Sequence, residues 1–210
     1  MPGTATKRRT RLDPETRRSL ILDSAAEIVA EEGVAVLTME TLGRKAGISK
    51  SLVYNYFSNT REVLSELLER ELRRQRRAQS KAAENVETFE GLVRAVTHEY
   101  LNYIDERGLI IERLQSEPSV SAIHDPTEYG RDGAVEYLAA IAARHFDLPP
   151  EIAHAVTDIS FGLPANAGAY LLRREIGLAE LEDLTSTMII GAFAAIRSDY
   201  MARKHPLRQD

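Results

Sequence analysis

The 210-residue chain contains no cysteine and no tryptophan. The missing thiols exclude disulfides, thiolate metal sites and cysteine nucleophiles. Long hydrophobic runs are absent too: no uninterrupted apolar stretch approaches the roughly 20 residues that cross a bilayer as a helix. The basic opening, MPGTATKRRTR, has no apolar segment behind it that would make a secretory signal. A cytoplasmic, membrane-free protein is the expectation. The five histidines, at positions 98, 124, 145, 154 and 205, are scattered, and HExxH, nucleophile-elbow and phosphate-loop motifs are all missing. No catalytic residue, metal site or cofactor is therefore expected.

What remains is the balance of a folded protein, 43% hydrophobic and 28% charged. The formal charge of −5 hides an asymmetry. Residues 1–82 carry 16 Lys and Arg against 11 Asp and Glu, whereas residues 83–210 carry 11 against 21. One end favours a polyanion and the other repels it, although an arginine run such as RELRRQRRAQSK also suits a plain solvated helix face.

Proline and glycine punctuate a pattern that is helical throughout, so the expected class is all-α. Asp13 followed by Pro14 starts a first helix, since aspartate caps free N–H groups and proline at the first position loses nothing. Ile21, Ala25, Ile28 and Val29 form its apolar stripe, and Gly33 suits its stop. Thr38 caps a short second helix with Met39, Leu42 and Ala46 on one face, ended by Gly47. Ser49 caps a third, KSLVYNYF. Asn59 with Glu62 three residues on resembles a capping box opening a long helix toward Lys81. Further helices are expected at about 88–107, 109–116, 127–146, 150–175 and 180–203, with Gly108 and several prolines as boundaries and Pro164 as a kink.

Two short helices joined by AGIS match the arrangement in which one helix enters the DNA major groove while its predecessor braces it. If Leu42, Ala46, Ile48, Val53 and Phe57 hold the pair together, the outward face carries Lys50, Ser51, Tyr54 and Asn55. Lysine donates to guanine O6 and N7, serine is an adaptable short partner, and tyrosine meets thymine methyls or a phosphate. Thr38 and Ser49, at helix starts, can anchor phosphates as well as cap. The competing reading makes Tyr54 and Tyr56 half-buried packing residues and Lys50 one solvated charge.

Residues 15–64 resemble the DNA-binding domain of the tetracycline-repressor (TetR) family of bacterial transcription regulators. The resemblance rests on Glu32-Gly33 ending the first helix, Thr38-Met39 opening the second, the turn Ala46-Gly47-Ile48-Ser49, the helix Leu52-Val53-Tyr54-Asn55-Tyr56-Phe57, and Ser58-Asn59 before the long helix. It implies a homodimer on a palindromic double-stranded operator, usually a repressor released when a small-molecule effector binds its C-terminal domain. It further implies that Lys50, Ser51 and Tyr54 face bases, and that Thr38, Ser49, Tyr54, Tyr56 and the start of the long helix face phosphates. Two positions depart from the pattern. Thr60 stands where many relatives have a phosphate-binding lysine, which shifts that role toward Arg61. Glu40 stands where some carry an arginine, so its carboxylate either pairs with a cation or accepts from cytosine N4.

The expected layout is a basic arm over residues 1–12, a helix-turn-helix domain over 13–59, and a helical ligand-binding and dimerisation domain over 60–210. In the arm, Lys7, Arg8, Arg9 and Arg11 either reach a minor groove or flanking phosphates, or make no contact. Tyr100, Tyr103, Leu114, Tyr137, Ile141 and Phe161 are the expected lining of an apolar effector cavity. Small or apolar faces carrying Ile159, Gly162 and Ala169, and then Leu184, Met188, Ala192 and Ala195, suit a four-helix bundle across a two-fold axis. With Gly108 as a break, segment 109–116 is expected to shift as a unit and drag the long helix. A DNA-binding scaffold without an inducer, or a helical enzyme, are the rival readings.

Overall fold

The computed structural model describes residues 13–84, 86–121 and 127–204, so the basic arm lies outside the described residues. Among these, the chain forms ten α-helices and no strand. They are α1 (Pro14–Glu31), α2 (Met39–Lys45), α3 (Lys50–Tyr54), α4 (Thr60–Ala83), α5 (Phe89–Gln115), α6 (Pro118–Ser121), α7 (Thr127–Phe146), α8 (Pro150–Ser160), α9 (Gly162–Leu172) and α10 (Leu178–Lys204).

Local chemistry sets the starts of the first four. The Asp13 carboxylate accepts from Thr16 N at 3.0 Å. Thr38 accepts from Thr41 N at 3.0 Å while the Thr41 hydroxyl takes Thr38 N at 2.9 Å, closing a reciprocal cap. Ser49 accepts from Leu52 N at 3.2 Å. Asn59 accepts from Glu62 N at 3.0 Å, but Glu62 returns its carboxylate to Ser58 N, one residue further out than in a regular capping box.

One expected boundary moves. Gly108 does not end a helix, and α5 runs through it as one rod of 27 residues. A Cβ at this position would sit 2.8 Å from Ile104 Cγ2 and 3.1 Å from Leu172 Cδ2. The glycine is thus a notch that lets α9 approach α5, and that packing outweighs a helix-propensity cost of about 1 kcal/mol. Pro164 kinks its helix, as expected, sharply enough to divide it at Phe161, which keeps α-helical angles of φ −60° and ψ −23°. With no N–H to return to the Ser160 carbonyl, and a ring that collides with it, the chain closes α8 at Ser160 and restarts as α9 at Gly162.

Buried side chains gather into cores at the two ends of the chain. Ile21, Leu42, Val53, Phe57 and Leu67 belong to the first, which also takes in Ile110, Leu114 and Val120 from α5 and α6. Phe89, Phe146 and Phe193 centre the second, with ring centroids 4.9–5.3 Å apart. A smaller cluster around Leu101, Ile104 and Leu171 joins α5 to α9.

Helix α4 crosses α5 over a buried charge. Glu71 has 0% exposure. Its carboxylate takes Nε and Nη2 of Arg107, the latter at 3.0 Å, and the Tyr103 hydroxyl at 2.7 Å. Burial pushes this carboxyl up, but the Arg107 and Tyr103 hydrogen bonds, with the Arg107 and Arg70 charges, outweigh it and hold its pKa below the usual 4.5. Burial and the adjoining Glu71 push the Tyr103 phenol up.

Removing one partner of such a buried set leaves the others uncompensated, so Glu71→Ala is expected to cost about 3–5 kcal/mol in urea unfolding. Because the folded pKa is depressed, the stabilisation is complete above the unfolded value and is lost as pH falls through the folded one. Glu71→Gln should therefore lose less stability than the parent chain when urea melts are compared between about pH 5 and pH 3.

Candidate nucleic-acid interface and ligand cavity

Helices α2 and α3 meet at close range because Gly43 has no side chain. A Cβ there would lie 3.0 Å from the Ile48 carbonyl oxygen and 3.3 Å from Lys50 N. Gly47, at φ +66°, turns the chain between them, and Ile48 N bonds Gly43 O at 2.9 Å. Val53 and Phe57 face the core, which leaves Lys50, Ser51, Tyr54 and Asn55 exposed. Tyr54 keeps 49% of its surface open, so it is displayed rather than packed. Lys50 and Tyr54 share a cleft of about 480 Å³ with Thr38, Glu40, Asn59 and Thr60. The starts of α2 and α4 are thereby brought beside α3, as phosphate contacts flanking a groove-reading helix require. Glu40 is exposed in this cleft and forms no ion pair with any described residue.

The other expected DNA-contacting residues divide. Ser49 and Arg61 are exposed, the former with its hydroxyl 3.0 Å from that of Ser51. Tyr56 is half-buried and packs on the first core. Nearby, Lys45 pairs with Glu27 at 3.2 Å and Glu31 at 3.0 Å, which commits it to bracing α2 against α1. Sequence reasoning missed Arg18. From α1 its guanidinium holds both Glu66 oxygens on α4, donates to the Tyr56 carbonyl at 2.6 Å, and lies 4.3 Å from the Phe57 ring centroid. One side chain thus fixes the end of the α3 segment against α4.

A second concavity, of about 1160 Å³, is walled by α4, α5, α7, α8, α9 and α10. Three of the six expected lining residues, Tyr100, Tyr137 and Phe161, do line it. The others are placed elsewhere: Tyr103 is drawn to Glu71, Leu114 into the first core, and Ile141 against the second. Ala169, expected at a subunit interface, lines the cavity and is half-buried. Burial raises the Tyr100 pKa. On the far side of α8, α9 and α10, Ile159 is 79% exposed, and Leu184, Met188, Gly162 and Ala195 are exposed with it, while Ala192 is half-buried.

The cavity and the DNA-side core share α4 and α5. Leu72 and Gln75 on α4 and Ile104 and Ile111 on α5 line the cavity, while Leu67, Ile110 and Leu114 of the same helices belong to the first core. Arg113 of α5 donates to the Val29 and Ala30 carbonyls at 2.6 and 2.9 Å, capping the last turn of α1.

Residues 21–67 match the family model for bacterial regulatory proteins of the tetR family. Over 61 residues the chain is 36% identical to the HTH-type transcriptional regulator SrpR of Pseudomonas putida, 29% of each chain. Over 134 residues it is 30% identical to the HTH-type transcriptional repressor KstR2 of Mycobacterium tuberculosis, 59% of this chain and 65% of that one. The matches therefore span less than two thirds of these curated relatives. The fold is similar to that of a putative transcriptional regulator from Pseudomonas aeruginosa, at TM-score 0.76 and 14% identity, covering 92% of this chain and 98% of that one. It is also similar to the fatty acid degradation regulator FadR from Bacillus halodurans, at 0.70 and 16%, covering 87% and 97%. The helix-turn-helix in its three-helix core and the family match over it agree: residues 21–67 form a DNA-binding domain of the tetR family of bacterial regulatory proteins, carried on an all-helical fold.

Proposed function

We propose that this protein is a homodimeric, sequence-specific transcriptional repressor that a small molecule releases from a palindromic operator. The observation that carries the reading is the exposed row of Lys50, Ser51, Tyr54 and Asn55 on a braced short helix, set in one cleft with Thr38 and Thr60. In this assignment Lys50, Ser51 and Tyr54 read base edges, while Thr38, Ser49 and Arg61 hold the backbone. The half-buried Tyr56 contributes its hydroxyl at most, since its ring packs on the core and its carbonyl is taken by Arg18.

Two half-sites about one helical turn apart need two recognition helices held some 34–36 Å apart, which a dimer provides. The exposed Ile159, Leu184 and Met188 are the proposed contact surface, with Gly162, Ala192 and Ala195 allowing close approach. Residues 13–59 are assigned to DNA reading and 60–210 to effector binding and pairing, joined through the shared first core. A scaffold without an inducer would be expected to fill its interior with side chains, and an open volume of about 1160 Å³ counts against it.

Release is assigned to α4 and α5 moving together. Segment 109–116 is part of a continuous α5, so it is no separate lever. A filled cavity instead displaces Leu72 and Gln75 against Ile104 and Ile111, and Arg113 and the first core carry the change to α1. The effector must bind the two arrangements unequally for this to occur.

Selection of a random duplex library on the purified chain, followed by footprinting with and without candidate effectors, tests the whole reading; failure to enrich any inverted repeat would refute it. In gel-shift titrations on the selected site, Lys50→Ala and Tyr54→Ala are each expected to lose about 1–3 kcal/mol of specific binding, with unchanged melting temperature. Sedimentation of Ile159→Arg should report monomers and a loss of operator affinity. Arg113→Ala should bind the operator but respond less to effector in the same gel-shift assay.

A further inference from the structure

We propose that the cavity selects an uncharged, largely apolar molecule bearing carbonyl or hydroxyl oxygens. This deepens, and rests on, the reading of the cavity as an effector site.

The polar side chains buried in its walls are neutral, and three of the four hold no hydrogen bond to a described residue. Thr97 on α5 is 2% exposed, and Gln75 on α4 and Ser160 on α8 are each 8% exposed. All three line the cavity, and among the described residues neither hydroxyl nor the amide has a hydrogen-bond partner. Thr157 gives the contrast: on the same wall as Ser160, its hydroxyl donates to the Ala153 carbonyl at 2.8 Å. A helical threonine can satisfy itself in this way, and Thr97 does not. Tyr100, one turn along from Thr97 and half-buried, lines the same space, and its hydroxyl has no partner among the described residues. Among the described residues the enclosed side-chain polar atoms without partners are Nε and Nη2 of Arg70, so the polar atoms of Thr97, Gln75 and Ser160 and of the half-buried Tyr100 open onto the cavity. A guest that displaces water from them must complete their hydrogen bonds itself.

The charged groups sort differently. Arg131 is paired with Asp158 at 2.5 Å and Arg173 with Glu175 at 2.8 Å, and both arginines are exposed. Glu84 and Glu112 are exposed as well, and Arg76 is half-buried and already partnered. No charged side chain lining the cavity is as buried as Thr97, Gln75 or Ser160. An ion taken inside would lose its hydration without meeting a counter-charge at depth. A plain hydrocarbon would leave the four polar groups dry and unpaired, which is how such sites reject ligands that lack an oxygen. Because Gln75, Thr97 and Ser160 stand on three different helices, a guest that satisfies all of them spans the cavity.

The test is isothermal titration calorimetry on the full chain at about pH 8, where a carboxylate is ionised. The probes are decanol, methyl nonyl ketone, decanoate and decyltrimethylammonium. Decanol and the ketone are expected to bind at least about tenfold more tightly than either ion. Equal or tighter binding of an ion, or no binding by any of the four, would overturn the proposal. In Thr97→Val and Ser160→Ala, affinity for decanol or the ketone should fall about three- to tenfold for each hydrogen bond lost. The melting temperature of the free protein should stay the same or rise. Unchanged affinity in the double variant, or a lower melting temperature in either single one, would assign these hydroxyls to the fold and refute the inference. Operator binding measured on the same samples separates the two levels. A chain that binds its operator yet takes no neutral probe disproves this inference alone, whereas one that selects no operator disproves the regulator reading.

Discussion

A carboxylate with no access to solvent must be met by cations and hydrogen-bond donors inside the protein, and Glu71 is met from α5 by the Arg107 guanidinium and the Tyr103 hydroxyl. That constraint fixes where α4 lies along α5. Sliding either helix by a residue would strip the carboxylate of its α5 partners and leave only Arg70 and Arg74 of its own helix, at 3.6 and 3.4 Å. Within α4, Val63, Leu64 and Leu67 stand on the DNA side of this point and Leu72 and Gln75 on the cavity side. The helix is therefore a beam pinned between two structures that each depend on its position. In the proposed release, small displacements at one end reach the other because packed interiors repack between discrete arrangements rather than deform gradually.

The beam transmits only if both ends are firmly held. At the DNA end Arg18 ties α4 to the segment after α3 by holding Glu66 and the Tyr56 carbonyl together, with the Phe57 ring beneath its guanidinium. Helix α5 adds a second route, since it lines the cavity at Tyr100 and Ile104 and ends with Arg113 on the final carbonyls of α1. The unbroken passage of α5 through Gly108 matters here. A hinge at that glycine would absorb motion, whereas a notch filled by Ile104 and Leu172 couples α5 to α9 as well.

Features decided within a few residues were legible in the sequence. The caps at Asp13, Thr38, Ser49 and Asn59, the turn at Gly47 and the outward row on α3 depend on local hydrogen bonds and helical periodicity. Features decided across the fold were not. Glu71 stands in the run ERELRRQRR, where a lone acid reads as one more solvated charge, and only the arrival of Arg107 and Tyr103 shows it to be buried. The same event removes Tyr103 from the expected cavity lining while Tyr100, three residues away, remains. Gly108 has two physical uses, ending a helix or admitting a neighbour, and nothing adjacent to it distinguishes them. Thr97, Gln75 and Ser160 carry no local signal, because a missing hydrogen bond is a property of surroundings that the sequence does not place side by side.

The break between α8 and α9 ties the remaining parts together. Pro164 kinks the chain after Ser160, and helical periodicity across the kink sends neighbouring residues to different sides. Ser160 and Phe161 line the cavity, while Ile159 and Gly162 face outward on the surface assigned to subunit pairing. Along α9, Ala169 again faces the cavity and Tyr170 the exterior. A guest pressing on Phe161 or Ala169 thus acts on a wall whose reverse is the proposed dimer contact. In the proposed dimer, two-fold symmetry would apply the displacement once in each protomer and so alter the separation of the two reading helices. A repressor whose half-sites sit at a fixed distance on the duplex needs only that change in separation to lose its grip, with no unfolding of the reading helices.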